Sequence, residues 1–375
     1  MPQKNKSKRP ARAASKKSGV KGWLKARTLV QRAFLVLLAL MMVGVSVMYG
    51  TAQWYVNKHK HEPLVYGATF VPSYAEYFGL DPKDTMQAMI DELGIKRFRL
   101  VSYWSDYEKE PGQYDFTELD WQFRKAEAAG AKVSLAIGLR QPRWPECHMP
   151  TWAERLTKEQ WTAELKKYMK VVIERYKTST ALQDYQLENE FFMKVFGICP
   201  DHTRSRLVEE YEFVKTIDSE HPVIISRSNN WIGLPLGDPR PDGFAISVYK
   251  RVWDKNITKR YFEYPLPSLF YASLAGGAEI LTGKNMIIHE LQGESWLPEN
   301  KGFAMNDINS IDEQNKSINP ERLKDRLAYA EATGMKTIDL WGVEWWYWQK
   351  MVAGEPGMWD TAAAELAKSR AKQQN

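Results

Sequence analysis

The chain is predicted to fold as a (β/α)8 barrel. Three observations carry that prediction: after Pro63, eight short apolar segments alternate with amphipathic ones; glycines stand directly after several of the amphipathic segments; and two of the apolar segments end abruptly in glutamate. Such alternation marks parallel strands joined by crossover helices. One barrel commonly needs about 250 residues or more, which a chain of 375 residues supplies. A doubly wound open sheet is the main rival, but no Gly-rich phosphate turn follows the first strand to support it.

The elements before the barrel come first. Residues 1–32 hold eleven Lys or Arg and no Asp or Glu, a composition expected to be disordered and to lie on an anionic leaflet. Without those eleven, 41 basic side chains face 46 acidic ones. The basic balance therefore belongs to the tail, and no nucleic-acid partner is expected. Residues 33–56 carry no charge at all. A run of about 20 apolar residues spans a bilayer as a helix, and Trp54 and Tyr55 sit where an interfacial belt would lie. A cleaved signal peptide is the rival reading; this run exceeds the apolar region of about 7–15 residues usual there, and Gly50-Thr51-Ala52 is a poor cleavage site. An uncleaved anchor is expected, N-terminus cytoplasmic, with everything after Lys58 outside and membrane lipid as a partner. Residues 57–62 form a short juxtamembrane linker and 63–375 the barrel domain.

Within that domain the strands are expected at 65–70, 97–104, 132–140, 182–190, 222–229, 243–250, 285–290 and 337–343. Each is short, β-branched or aromatic, and bounded by Gly, Pro or polar residues. Helices are expected at 85–93, 119–129, 158–176, 204–217, 269–281, 320–333 and 359–369. Gly94, Gly130 and Gly334 follow their helices as C-terminal caps should. Between the fifth and sixth strands, residues 228–242 read as a Pro/Gly/Asn-rich loop with no helix.

A barrel builds its site from the C-terminal ends of its strands and the loops that follow. Those ends carry Tyr74 and Tyr77, Arg99 and Trp104, Arg140, Arg143 and Trp144, then Asn189 and Glu190. Further round come Arg227, Asn229, Asn230 and Trp231, Tyr249 and Trp253, Glu290, Gln292, Glu294 and Trp296, and lastly Trp341 and Glu344 to Trp346. Flat indoles flanked by amides, guanidinium groups and carboxylates suit sugars, which offer apolar C–H faces and a belt of hydroxyls. Two glutamates flanking one bond are the basic apparatus of glycoside hydrolysis.

These residues resemble the clan A glycoside hydrolases, retaining barrels that include the cellulase-like family 5 and the β-galactosidase-like family 42. Leu187-Glu188-Asn189-Glu190 is similar to the clan's fourth-strand end, and Ile287-Ile288-His289-Glu290 to its seventh. The resemblance implies Glu190 as general acid/base, Asn189 on the sugar 2-hydroxyl and Glu290 as nucleophile. Arg99 matches the second-strand arginine that binds the nucleophile, Tyr249 the sixth-strand tyrosine, and Trp341 the tryptophan flooring the −1 subsite. The stretch from Trp104 through Glu108 to Gly112-Gln113-Tyr114-Asp115-Phe116 looks like a further clan motif. With Trp104, Trp144, Trp296 and Glu344 on the rim, the expected partner is a carbohydrate substrate, with no cofactor and no metal ion. Two features depart from the pattern: Gly138-Leu139-Arg140 stands where a His-rich third-strand end is usual, and Glu294 is a competing acid four residues after Glu290.

Strand alternation puts Glu188 and Glu190 on one side and Asn189 on the other. The role of Asn189 therefore requires the chain to leave regular strand geometry there, and Glu188 is either an acid behind the site or a buried structural one. Cys147 and Cys199 follow adjacent strands, so a disulfide between neighbouring loops is expected. Other chemistries fit less well. His289-Glu290 lacks the second histidine of a zinc-protease helix, and no Gly-x-Ser-x-Gly elbow occurs. A barrel that binds glycan without cleaving it, and a transglycosylase, remain as alternatives. The long loop over 297–319 is expected to shape the cleft.

Overall fold

The computed structural model describes residues 28–194, 197–228, 237–298 and 301–374. Most of the basic tail and the rim candidates Asn229, Asn230 and Trp231 lie outside the described residues.

Eight parallel strands close on themselves, as the alternation predicted. They are β1 (Val65–Phe70), β2 (Arg97–Val101), β3 (Lys132–Ile137), β4 (Leu182–Leu187), β5 (Val223–Arg227) and β6 (Gly243–Val248), then β9 (Met286–Gln292) and β10 (Thr337–Trp341). Strand β10 pairs with β1 to complete the ring. An insertion after β6 forms a separate antiparallel hairpin of β7 (Arg251–Trp253) and β8 (Tyr261–Glu263), which periodicity had not revealed. Helices lie within about three residues of their expected positions, except that the last runs on to Gln374, five residues past its expected end, and Lys158–Tyr176 and Arg204–Ile217 match their predicted spans. The former starts on a capping box, Thr157 and Gln160 each satisfying the other's backbone N–H. The 297–319 segment carries a helix at Ile311–Ser317.

The barrel interior is polar, and this positions the site. On β2 the two-residue period sends Phe98 and Leu100 outward into the apolar core and Arg97 and Arg99 inward. Arg97 is held by Asp184 at 3.0 Å and Asp339 at 3.1 Å, a charged plug lower in the barrel. Arg99 sits one step nearer the mouth. On β9 the register slips by one residue around His289 against both neighbouring strands. A bulge of this kind re-aims the side chains beyond it, and it brings Glu290 into register with Ser247 of β6.

The N-terminal helix runs Leu29–His59 and is long and apolar enough to cross a membrane. Among the described residues, 28–50 form one unit and 51–374 the other. Within the second unit, Ala52, Tyr55 and His59 are buried against the barrel's outer helices. Gly276 allows that approach, because a Cβ there would stand 2.9 Å from Thr51 Cγ2. His59 Nε2 hydrogen-bonds Glu279 at 2.7 Å. The helix thus passes through the expected boundary at 56/57, and its last turns belong to the barrel's packing.

Candidate active site

Strand β4 ends at Leu187, and the backbone then leaves strand geometry: Glu188 has φ +54° and Glu190 φ +43°. Left-handed conformations in two non-glycine residues cost free energy and persist only where their surroundings impose them. Here the reward is visible. Glu188 turns back into the fold and accepts from the backbone N–H groups of Leu139 (2.6 Å) and Arg140 (3.0 Å) and from Arg206 (3.0 and 3.1 Å). It is a buried structural acid. Gly138, at φ +102°, is required beneath it, since a Cβ there would meet the Glu188 carboxylate at 2.4 Å.

Asn189 and Glu190 are thereby freed to face inward. Asn189 Oδ1 accepts from Arg99 Nη2 at 2.8 Å and from Gln186 Nε2 at 3.1 Å. Glu190 accepts from Ser247 Oγ, and its own N–H donates to Ser226. Glu290 is gripped at both oxygens, by Arg99 Nη1 at 2.8 Å and by the Tyr249 hydroxyl at 2.8 Å. Arg99 therefore touches Asn189 and Glu290 together, and Ser247, whose hydroxyl donates to Glu190, is the strand partner of Glu290. Burial first, and then the nearby Glu290 charge, push the Glu190 carboxyl up to about 7.

A second cluster borders this centre. Glu294 accepts from Trp341 Nε1 (2.6 Å), the Tyr74 hydroxyl (3.0 Å) and Arg143 (3.2 and 3.3 Å). The Arg143 guanidinium lies 3.3 Å from the Tyr74 ring centroid and 4.3 Å from that of Trp341. The competing acid is thus held in a network of its own. Next to it a cavity of about 330 Å³ is lined by Tyr74, Tyr77, Tyr103, Arg143, Trp144 and His148, among others. Trp144 is largely exposed and Trp296 partly so, the latter edge-on to Tyr249.

Two expected ligand contacts do not reach the cleft. Trp104 is fully buried; its indole N–H donates to Glu108 at 2.6 Å, and the other Glu108 oxygen accepts from Gly112 N–H. The motif around Trp104 is therefore a structural staple, and the ring presents no face to a ligand. Glu344 is likewise fully buried, accepting from Val71 N–H at 2.9 Å, and burial pushes it up to about 7. It sits behind Arg143, 3.9 Å from that side chain, and does not line the cleft.

The sequence reading missed Ser247, Ser226, Gln186 and Glu146. Inward parity on β4 to β6 was a usable signal for the first three. Glu146 had none: it lies in the loop after β3, where its Oε2 accepts from Asn189 Nδ2 at 3.1 Å. Cys147 and Cys199 are joined in a disulfide between this loop and the one after β4, with a Cα separation of 5.3 Å.

Against solved structures, the chain superposes on the β-galactosidase of the Antarctic haloarchaeon Halorubrum lacusprofundi with a TM-score of 0.54 at 14% identity, covering 81% of this chain and 58% of that one. It superposes on the exo-β-1,4-mannosidase Op5Man5 from Opitutaceae bacterium strain TAV5 with a TM-score of 0.54 at 13% identity, over 83% and 60%. Xylanase 10B from Thermotoga maritima gives 0.52 at 14% identity, over 85% and 98%. The chain shares the (β/α)8 barrel fold of these glycosidases. The likeness is one of fold, and the chain spans about three-fifths of the length of the first two enzymes. No family model matches the chain, and no curated protein matches it.

Proposed function

We propose that the protein is a membrane-anchored, retaining glycoside hydrolase whose nucleophile is Glu290 and whose acid/base is Glu190. The observation carrying this reading is the unequal treatment of two adjacent buried carboxyls. Glu290 has a guanidinium on one oxygen and a phenol donor on the other, two donors that hold its carboxyl in place for attack. Glu190 has one hydroxyl donor and is pushed up to about 7, which favours the acid. Retaining hydrolysis needs this division, at a carboxyl separation of about 5–5.5 Å. Glu290 attacks the anomeric carbon while Glu190 protonates the leaving oxygen. The resulting ester removes the neighbouring charge, Glu190 ionises more readily, and it then takes a proton from the attacking water.

Asn189, Arg99 and Tyr249 position the reacting ring, and Trp341, Trp144 and Trp296 offer aromatic surface near it. The apolar helix is read as an uncleaved, single-pass anchor with its N-terminus cytoplasmic and the barrel outside. Burial of Ala52, Tyr55 and His59 in the barrel's packing supports retention of the helix, and a disulfide suits an extracytoplasmic domain. The test is an activity panel of aryl glycosides and polysaccharides on the full chain in detergent, with Glu190→Gln and Glu290→Gln in parallel. An activity lost by about 10³-fold or more in both variants is expected; variants that cleave as well as the parent would refute the assignment.

A further inference from the structure

We propose that Glu146 is a positioning residue of this site: it fixes the Asn189 amide for the sugar hydroxyl next to the anomeric carbon, and the Cys147–Cys199 disulfide keeps it in place. The inference rests on the functional reading above and adds a dependence on the loop disulfide.

Asn189 is clamped from two sides. Its carbonyl oxygen faces the donors of Arg99 and Gln186, so its amino group must point the other way, where it donates to Glu146. An amide NH₂ has two hydrogens. One goes to Glu146, leaving the other for a ligand hydroxyl. Without an acceptor at Glu146 the amino group would lose its anchor, although Arg99 would still hold the oxygen.

No strand places Glu146. It stands at φ +72° in the loop after β3, its N–H donating to the Arg143 carbonyl (2.8 Å) and its own carbonyl accepting from Gln141 N–H (2.8 Å). The Arg140 guanidinium lies 3.6 Å from its carboxylate. From the far side it meets Gly197, where a Cβ would come within 2.6 Å of the Glu146 Cβ. Gly197 lies two residues before Cys199, and Cys147 directly follows Glu146, so the disulfide binds together the two segments that confine this side chain. Burial, reinforced by Glu190 and Glu290 and opposed by Arg140, pushes its carboxyl up to about 8. At neutral pH Glu146 is then mostly the neutral acid, which avoids adding a further negative charge beside the catalytic pair.

The competing explanation is that Glu146 only offsets the Arg140 charge. The two are separated by comparing kcat/KM on an aryl glycoside that the parent cleaves with kcat/KM on its 2-deoxy counterpart. Full chain in detergent is used throughout, with folding checked by circular dichroism. Glu146→Ala is expected to reduce the preference for the 2-hydroxy substrate by about tenfold or more, through kcat on that substrate, with the 2-deoxy rate nearly unchanged. Glu146→Leu serves the same purpose if the alanine variant does not fold. Glu146→Gln keeps an acceptor and should retain most of the preference. The double variant Cys147→Ser/Cys199→Ser, and parent reduced with dithiothreitol, should behave like Glu146→Ala. Equal losses on both substrates, or a full preference in the cysteine variant, would overturn the proposal while leaving Glu190 and Glu290 in their roles. A parent as inactive as Glu190→Gln on every glycoside would remove the functional reading and this inference with it.

Discussion

Glu290 lies in parallel register with Ser247, the residue whose hydroxyl donates to Glu190. Adjacent strands run about 4.8 Å apart, so this single contact brings together two acids separated by a hundred positions in the chain. The bulge at His289 makes it possible, because without the extra residue Glu290 would fall out of step with Ser247.

That coupling predicts how Glu190 titrates. Part of its upward shift comes from the Glu290 charge. Glu290→Gln removes the charge, so the Glu190 midpoint should fall below the parent's value of about 7. Carboxyl ¹³C NMR of the two proteins checks this. In the parent, kcat/KM should decline as pH rises through about 7, where the required acid is lost. An unchanged Glu190 midpoint in the variant would mean the carboxyls are not neighbours.

The buried acid behind the site should matter to stability before chemistry. Glu188 answers Arg206 from a position with no exposure to solvent. Glu188→Ala removes one of the carboxylates on that guanidinium, leaving Glu210 at 2.6 Å, and strands the Leu139 and Arg140 N–H groups; it should destabilise the fold by about 3 kcal/mol, measured by denaturant unfolding. Gly138→Ala should also destabilise, since the added methyl meets the Glu188 carboxylate.

Two tryptophans expected on the rim should separate cleanly. Trp104→Ala empties a fully buried space and should cost about 3–5 kcal/mol of stability. Trp144→Ala, at a largely exposed position, should leave the melting temperature nearly unchanged and raise KM.

Stability should also fall with rising pH above about 6.5. Burial raises Glu146 to about 8, and Glu190 and Glu344 to about 7. A carboxyl raised on folding stays protonated after its unfolded counterpart has ionised, so its contribution is full below about 4.5 and is lost as pH climbs through the folded value. Burial lowers His148 to about 4 and His289 well below its ordinary value, which works in the opposite sense. In the unfolded chain both histidines lose their charge through about 6.5, so this opposition fades above that pH and is outweighed by the three carboxyls. Melting temperature should therefore decline between pH 6.5 and 8, and Glu146→Gln should flatten the slope.

What the sequence disclosed follows period and position. Alternating apolar segments gave the eight strands, and Arg99, Asn189, Glu190, Tyr249 and Glu290 could be singled out because they stand at strand ends, where a barrel gathers its polar groups. Trp104 was misread because a strand-end address does not fix which way a ring turns: the chain bends into a short helix at Trp104–Tyr107 and buries it. Glu344 failed for the same reason, sitting in the helix Val343–Trp348. Glu146 was invisible because loop backbone, a disulfide and a positive φ place it, and none of these has a periodic signature. The β7–β8 hairpin was missed because its strands are only three residues long.

The most direct test is to trap the intermediate. A 2-deoxy-2-fluoro glycoside with a good leaving group, matched to a sugar that the parent cleaves, slows release of a glycosyl ester. The full chain is incubated with it, digested and sequenced by mass spectrometry. The account predicts one sugar esterified to Glu290, with labelling abolished in Glu290→Gln. A stable adduct on Glu294 or Glu190, or an active parent that forms no covalent adduct, would contradict it.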